Sequence, residues 1–301
     1  MKKAIYLAIV AGFAMAGCKA QQVKNLKNAP YPAYDREAHR GGRGLMPENT
    51  IPAMLNAVDL GVETLEMDTH ITADGKVVVA HDDVFNPLFA LLPDGKEIPK
   101  EDGKKYVLYK MNYADIAKFD VGSKPYTKFP QQKRIKVSVP LLADLIDSVQ
   151  NHIKVTGKRQ VLYNIETKCS KEDDGIYNPD PETFVKLLMD VIIEKKILPY
   201  VVIQSFDKRT IQIIHKKYPA VRTSYLVENK LSLTENLADL GYDPFVYSPT
   251  FKLVTADMIK ECHAHNIRVI PWTVNTKEDI AALKALGADG IITDYPNLYF
   301  Q

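Results

Sequence analysis

Short apolar runs alternate with segments of helical periodicity along most of the chain. The runs lie at 37–39 (EAH), 62–68 (VETLEMD), 161–167 (VLYNIET), 201–205 (VVIQS), 222–227 (RTSYLV), 245–249 (FVYSP), 269–274 (VIPWTV) and 290–294 (GIITD). Between them, Ile51, Met54, Leu55 and Val58 share one helical face, with Asn49 or Thr50 as the cap and Gly61 as the stop. Asp180-Pro181 opens a second such face through Phe184, Leu187, Leu188 and Val191, and Asp207 precedes a third that runs to Ile214. Thr255 and Thr276 cap two more, and Gly287 closes the last. Eight strands alternating with helices predict parallel pairing and a closed (β/α)8 TIM barrel. An open doubly wound sheet is the competing architecture, but its Gly-rich nucleotide turn after the first strand is missing.

One apolar run breaks the alternation. Only residues 72–76 (TADGK) separate 77–81 (VVVAH) from the preceding strand, and a parallel crossover needs a dozen or more residues. Asp74-Gly75 is a hairpin turn signal, so this run is expected to fold back antiparallel, with His81 roughly opposite Asp68 at the barrel mouth. Residues 84–139 then lack clean periodicity and form an insertion. They hold eleven Lys/Arg against six Asp/Glu, a surplus of five in a chain whose formal charge is +2. That is either a solvated surface or a basic cap that draws an anionic substrate. The small overall charge argues against nucleic acid as a partner.

The first 18 residues differ in kind. Lys2-Lys3 and an apolar run ending at Gly17-Cys18 predict an export signal, of lipoprotein type with the anchor on Cys18 or, since Ala14-Met15-Ala16 also suits a soluble-protein signal peptidase, of plain secretory type. Residues 19–30 read as a polar tether and 31–301 as the barrel domain carrying the insertion. The expected location is periplasmic or on the outer membrane or cell surface, with membrane contact only through the lipid. Cys169 and Cys262 read as isolated thiols. The sequence leaves the oligomeric state open.

Candidate chemistry gathers at strand ends. Glu66 and Asp68 stand two apart on one strand, so both face the same way, and Asn164, Glu166 and Lys168 repeat the spacing on the next barrel strand. Carboxylates aimed into one cavity repel unless a cation lies between them. Three of them make an all-oxygen site for Ca²⁺ or Mg²⁺, and an internal ion pair of Glu66 with Lys168 is the plainer alternative. His39 and His81 flank the carboxylates and suit general acid and general base. His70 is expected past the site, and His152, His215, His263 and His265 are expected on or near helices, facing solvent. Arg40 offers a planar fork and Lys168 a point charge for phosphate oxygens. Gly41, Gly42 and Gly44 permit close backbone approach, while Asn49 and Thr50 read as helix caps.

Taken together, HRG…PENT, ExD, TxDG…HD, IExK, WTVN and GIITD resemble the glycerophosphodiester phosphodiesterase family over about residues 36–296. The resemblance implies a metal-dependent enzyme that releases sn-glycerol 3-phosphate and an alcohol. It casts His39 and His81 as the acid/base pair and Arg40 as phosphate ligand. Glu66, Asp68 and Glu166 become metal ligands, and Lys168 and Trp272 substrate contacts. The stretch 84–89 (VFNPLF) departs from the Leu-x-Arg-Thr-Thr common in bacterial relatives, which leaves the alcohol open. A lysophospholipase D, a phosphoinositide-type phosphodiesterase, a metal-dependent aldolase or isomerase, and a non-catalytic glycerophosphoryl-binding lipoprotein are the rival readings.

Overall fold

Every position of the strand Thr64–Ile71 is buried, although apolar Leu65 and Met67 alternate with charged Glu66 and Asp68. Two faces of different character explain this. In the computed structural model, which describes residues 27–300, Leu65 and Met67 join the apolar layer beneath the helices. Glu66 and Asp68 take the opposite face, into the barrel.

The strands are β1 (Asp35–Ala38), β2 (Thr64–Ile71), β3 (Val77–Val79), β4 (Leu162–Thr167), β5 (Val201–Ser205), β6 (Arg222–Val227), β7 (Val246–Pro249), β8 (Arg268–Val269) and β9 (Gly290–Thr293). Parallel pairing runs β8-β7-β6-β5-β4-β2-β1-β9. Backbone bonds from Asp289 to Val269, Ile292 to Pro271 and Val274 to Ile292 then draw the two ends together into a nearly closed TIM barrel of eight parallel strands. The run expected as a strand over 269–274 pairs regularly only through Val269, because Pro271 has no N–H to give the ladder.

The helices are α1 (Ile51–Leu60), a one-turn α2 (Tyr113–Ile116), α3 (Leu142–Thr156), α4 (Pro181–Glu194), α5 (Lys208–Lys217), α6 (Leu233–Leu240), α7 (Ala256–Ala264) and α8 (Lys277–Leu286). Side-chain caps open α1, α4, α5, α7 and α8 at Thr50, Asp180, Asp207, Thr255 and Thr276, and Gly61 and Gly287 end α1 and α8 in left-handed conformations. None of the helices is long and apolar enough to cross a membrane among the described residues. Their inward faces, such as Leu142, Leu145, Ile146 and Val149 of α3, bury the main core against the outside of the barrel.

β3 pairs antiparallel with β2, Thr69 opposite Val79 and Ile71 opposite Val77. That register puts Ala80, whose N–H bonds to the Asp68 carbonyl at 3.0 Å, where His81 was expected. His81 therefore lies one residue beyond the pairing. The insertion has a small core of its own, built on Val78 with Phe85, Ile98, Leu108, Ile116, Phe119 and Val139. Phe85 and Phe119 stack at 3.9 Å. Of its basic residues, Lys124 is taken up by the Pro87 carbonyl at 2.7 Å and Glu97 at 3.1 Å. Cys262 is buried and Cys169 half-buried, both as free thiols. The export signal and most of the tether lie outside the described residues.

Candidate active site

Pairing of β2 with β4 sets Asp68 beside Glu166 and Glu66 beside Asn164. Oxygens of Glu66, Asp68 and Glu166 come within 4.8 Å of one another, and all three residues are buried. Burial, and then the charges of Asp68 and Glu166, drive the Glu66 carboxyl well above the ordinary range. Burial raises Glu166 too, against the pull of Lys168, whose Nζ sits 3.0 Å away. Burial also opposes the charge on Asp68, but Arg40, His81 and Lys168 outweigh it and hold that carboxyl far below its usual range. A divalent cation among the three would remove the repulsion that the protein's own groups leave unresolved. The all-oxygen donor set fits Mg²⁺ or Ca²⁺.

The turn after β1 braces this cluster. His39, Arg40 and Gly41 form one 3-10 turn in which Arg40 adopts φ 53° and ψ 35°, a conformation uncommon for a residue with a side chain. It brings the Arg40 N–H to Glu66 Oε2 at 2.7 Å, while Gln204 Nε2 donates to Glu66 Oε1 at 2.7 Å. Both Glu66 oxygens are thus fixed. The Arg40 side chain bonds Glu48 at 2.8 Å, and its Nε lies 3.3 Å from Asp68 Oδ2 but out of line for a hydrogen bond. Close approach requires the glycines here: a Cβ on Gly41 would lie 2.8 Å from that of Ala53, and one on Gly44 2.3 Å from the Tyr295 ring. Thr50 caps α1 as expected. Asn49 does not: its Nδ2 donates to Asp68 Oδ2 at 2.8 Å, and its Oδ1 accepts from the Asp68 N–H at 3.2 Å.

Each candidate histidine holds a carboxylate on Nδ1. For His39 it is Asp294, at the end of β9, at 2.6 Å, and Arg43 and Asn275 bind the same carboxylate at 2.7 and 2.8 Å. Burial pushes His39 down to about 4, with Asp294 opposing and Arg40 and Arg43 assisting, so the ring is neutral at pH 7. His81 meets Asp82 at 2.7 Å, and Asn86 holds the other Asp82 oxygen at 2.7 Å. His70, expected past the site, is buried with its Nε2 on the His81 carbonyl at 3.0 Å. The other four histidines do stand on or beside helices: His152, His263 and His265 pair with Asp59, Asp289 and Asp243, and His215 stacks on Tyr242.

An open cleft of about 470 Å³ is lined by His39, Arg40, Glu66, His81, Glu166, Lys168 and Trp272. Of the eight expected site residues only Asp68 does not face it. Trp272 is set by its Nε1 on the Ser248 carbonyl at 2.9 Å and meets Phe206 edge to face at 5.4 Å. Sequence reasoning did not find Asp294, Gln204, Glu48, Arg43 or Phe206. Asp294 had the clearest signal, an acid directly after the last strand. Because it fixes the His39 tautomer, Asp294→Asn is expected to lower kcat roughly 10²-fold with little change in folding. Stopped turnover assays beside thermal melts check this, and unchanged kcat would leave Asp294 a purely structural partner of Arg43.

Residues 39–298 match the model of the glycerophosphoryl diester phosphodiesterase family. A glycerophosphodiester phosphodiesterase of Caldanaerobacter subterraneus subsp. tengcongensis is 27% identical over 259 residues, spanning 86% of this chain and 93% of that one. A structure from Silicibacter pomeroyi, assigned as a glycerophosphoryl diester phosphodiesterase, superposes with TM-score 0.78 at 28% identity over 92% of this chain and 95% of that one. An Oleispira antarctica phosphodiesterase, solved with the product sn-glycerol-3-phosphate, shares the fold at TM-score 0.67 and 20% identity, over 87% of this chain and 94% of that one. Matched over nearly its whole described length, the chain belongs to the glycerophosphoryl diester phosphodiesterase family.

Proposed function

We propose that this protein hydrolyses glycerophosphodiesters to sn-glycerol 3-phosphate and an alcohol, with Ca²⁺ or Mg²⁺ held by Glu66, Asp68 and Glu166. The observation that carries the reading is the gathering of three buried carboxylates, two carboxylate-backed histidines, Arg40 and Lys168 at one barrel mouth. When bound, the cation supplies positive charge to the phosphoryl oxygens. Arg40 and Lys168 add fixed charge on the same cleft. With Nδ1 of each histidine occupied, proton transfer falls to the two Nε2 atoms. One takes a proton from the attacking oxygen and the other gives one to the departing alkoxide. Neutral His39 fits the accepting role.

A lysophospholipase D reading would need room for an acyl chain beside the site. The apolar pocket next to His81, walled by Val84, Phe85, Phe89 and Leu108, encloses about 380 Å³ against about 470 Å³ for the cleft itself, and is where such a chain would lie. A binding protein without turnover would have no use for both Asp294 and Asp82 behind their histidines. Product analysis tests the proposal: sn-glycerol 3-phosphate and free alcohol should appear in equal amounts from small glycerophosphodiesters. Release of glycerol and a phosphoalcohol instead would place the scissile bond on the other side of phosphorus.

Lys2, Lys3 and the apolar run to Cys18 further support export, with lipid on Cys18 as the tether. Mass spectrometry of the mature N-terminus should find lipidated Cys18, and an unmodified terminus at another residue would exclude the anchor.

A further inference from the structure

A second open cleft, of about 720 Å³, adjoins the first and shares His81, Glu166, Lys168 and Phe206 with it. Its outer wall has the opposite electrostatic character. Asp82, Asp83 and Asp173 line it; Asp82 is paired with His81 at 2.7 Å, and Lys168 with Glu166 at 3.0 Å. Asp173 accepts a hydrogen bond from Ser170 at 2.6 Å, and neither Asp83 nor Asp173 has a salt-bridge partner among the described residues. Partial burial and the charges of Asp173 and Asp82 raise the Asp83 carboxyl above its ordinary range, against the pull of Lys104.

Two further features point to a ligand. Tyr177 and Phe206 border the cleft, and Phe206 is 43% exposed, unusual for a large apolar ring. His70, 4% exposed, is also on the wall, and its Nδ1 has no hydrogen-bond partner. Aromatic faces beside carboxylates bind ammonium groups, through the ring quadrupole and direct charge attraction. The first cleft carries Arg40, Arg43 and Lys168. A phosphodiester whose alcohol bears an ammonium group has the matching polarity, anionic at one end and cationic at the other.

We propose that this cleft holds the alcohol half of the substrate and selects alcohols carrying an ammonium group, such as choline or ethanolamine, with Asp83, Asp173, Tyr177 and Phe206 as the specificity determinants. The proposal rests on the phosphodiesterase reading. A neutral polyol such as glycerol or inositol gains nothing from the charge, and an acyl chain would set methylenes against three carboxylates.

The test is a competition between sn-glycero-3-phosphocholine and its uncharged isostere, the 3,3-dimethylbutyl ester. Their kcat/KM ratio does not depend on how much of a variant is folded. The wild-type protein should favour the choline ester about tenfold or more, and Asp83→Asn/Asp173→Asn should bring the ratio to within about twofold of unity. A wild-type ratio near unity, or an undiminished preference in the double variant, overturns the subsite while cleavage of both esters keeps the phosphodiesterase reading. Cleavage of neither ester by the wild-type protein overturns both.

Discussion

His39→Ala and His81→Ala should each lower kcat by roughly 10²-fold or more, the usual scale for loss of a positioned acid or base. The two substitutions remove different partners. Without His39, Asp294 keeps Arg43 and Asn275, so its charge stays compensated and the end of β9 stays in place. Without His81, Asp82 keeps Asn86. Folding should therefore survive in both variants, and circular dichroism melts can separate a catalytic loss from an unfolded sample. A histidine whose replacement left turnover near wild type would be reduced to packing. The double variant should be little worse than the poorer single one, since the two act in one proton-transfer unit.

Asp68→Asn carries an expected loss on the order of 10³-fold, because it strips charge from the cation site and from the partner of Arg40 at once. Arg40 Nε lies 3.3 Å from that carboxylate, and Asn49 holds it in place at 2.8 Å. Stability should move less than activity. Losing the Asp68 charge weakens the hold on Arg40, but it relieves Glu66 and Glu166, both of which Asp68 pushes upward. Those effects oppose each other. Calorimetric titration with Mg²⁺ or Ca²⁺ should show the affinity lost along with turnover, and unaltered cation affinity would remove Asp68 from the ligand set.

Much of this architecture is legible in the sequence because the physics behind it is local. Spacing by two places Glu66 with Asp68, and Asn164 with Glu166, whatever the rest of the chain does. Asp74-Gly75 turns β2 back on β3 for the same reason. What escapes a reading of the sequence acts across the chain. Asp294 reaches His39 over 255 positions, and Gln204 reaches Glu66 over 138, with no local pattern to announce either. Asn49 sits where a cap would, but its φ of 57° swings its amide away from α1 toward Asp68. The insertion lacks periodicity because irregular turns tie its small core together, with only the single helical turn α2 and two short 3-10 turns inside it. The bounds of helix α3 are hidden in the sequence, although His152 is expected on or near a helix, since no side chain caps it at Leu141 and it follows directly on that irregular stretch.

Turnover measured against free divalent cation bears most directly on the catalytic role of the carboxylate cluster. Protein stripped by chelator and assayed on a small glycerophosphodiester should release no sn-glycerol 3-phosphate, and added Mg²⁺ or Ca²⁺ should restore release in wild type but not in Asp68→Asn. Full turnover in the rigorously metal-free protein would contradict cation binding by Glu66, Asp68 and Glu166 as the basis of catalysis.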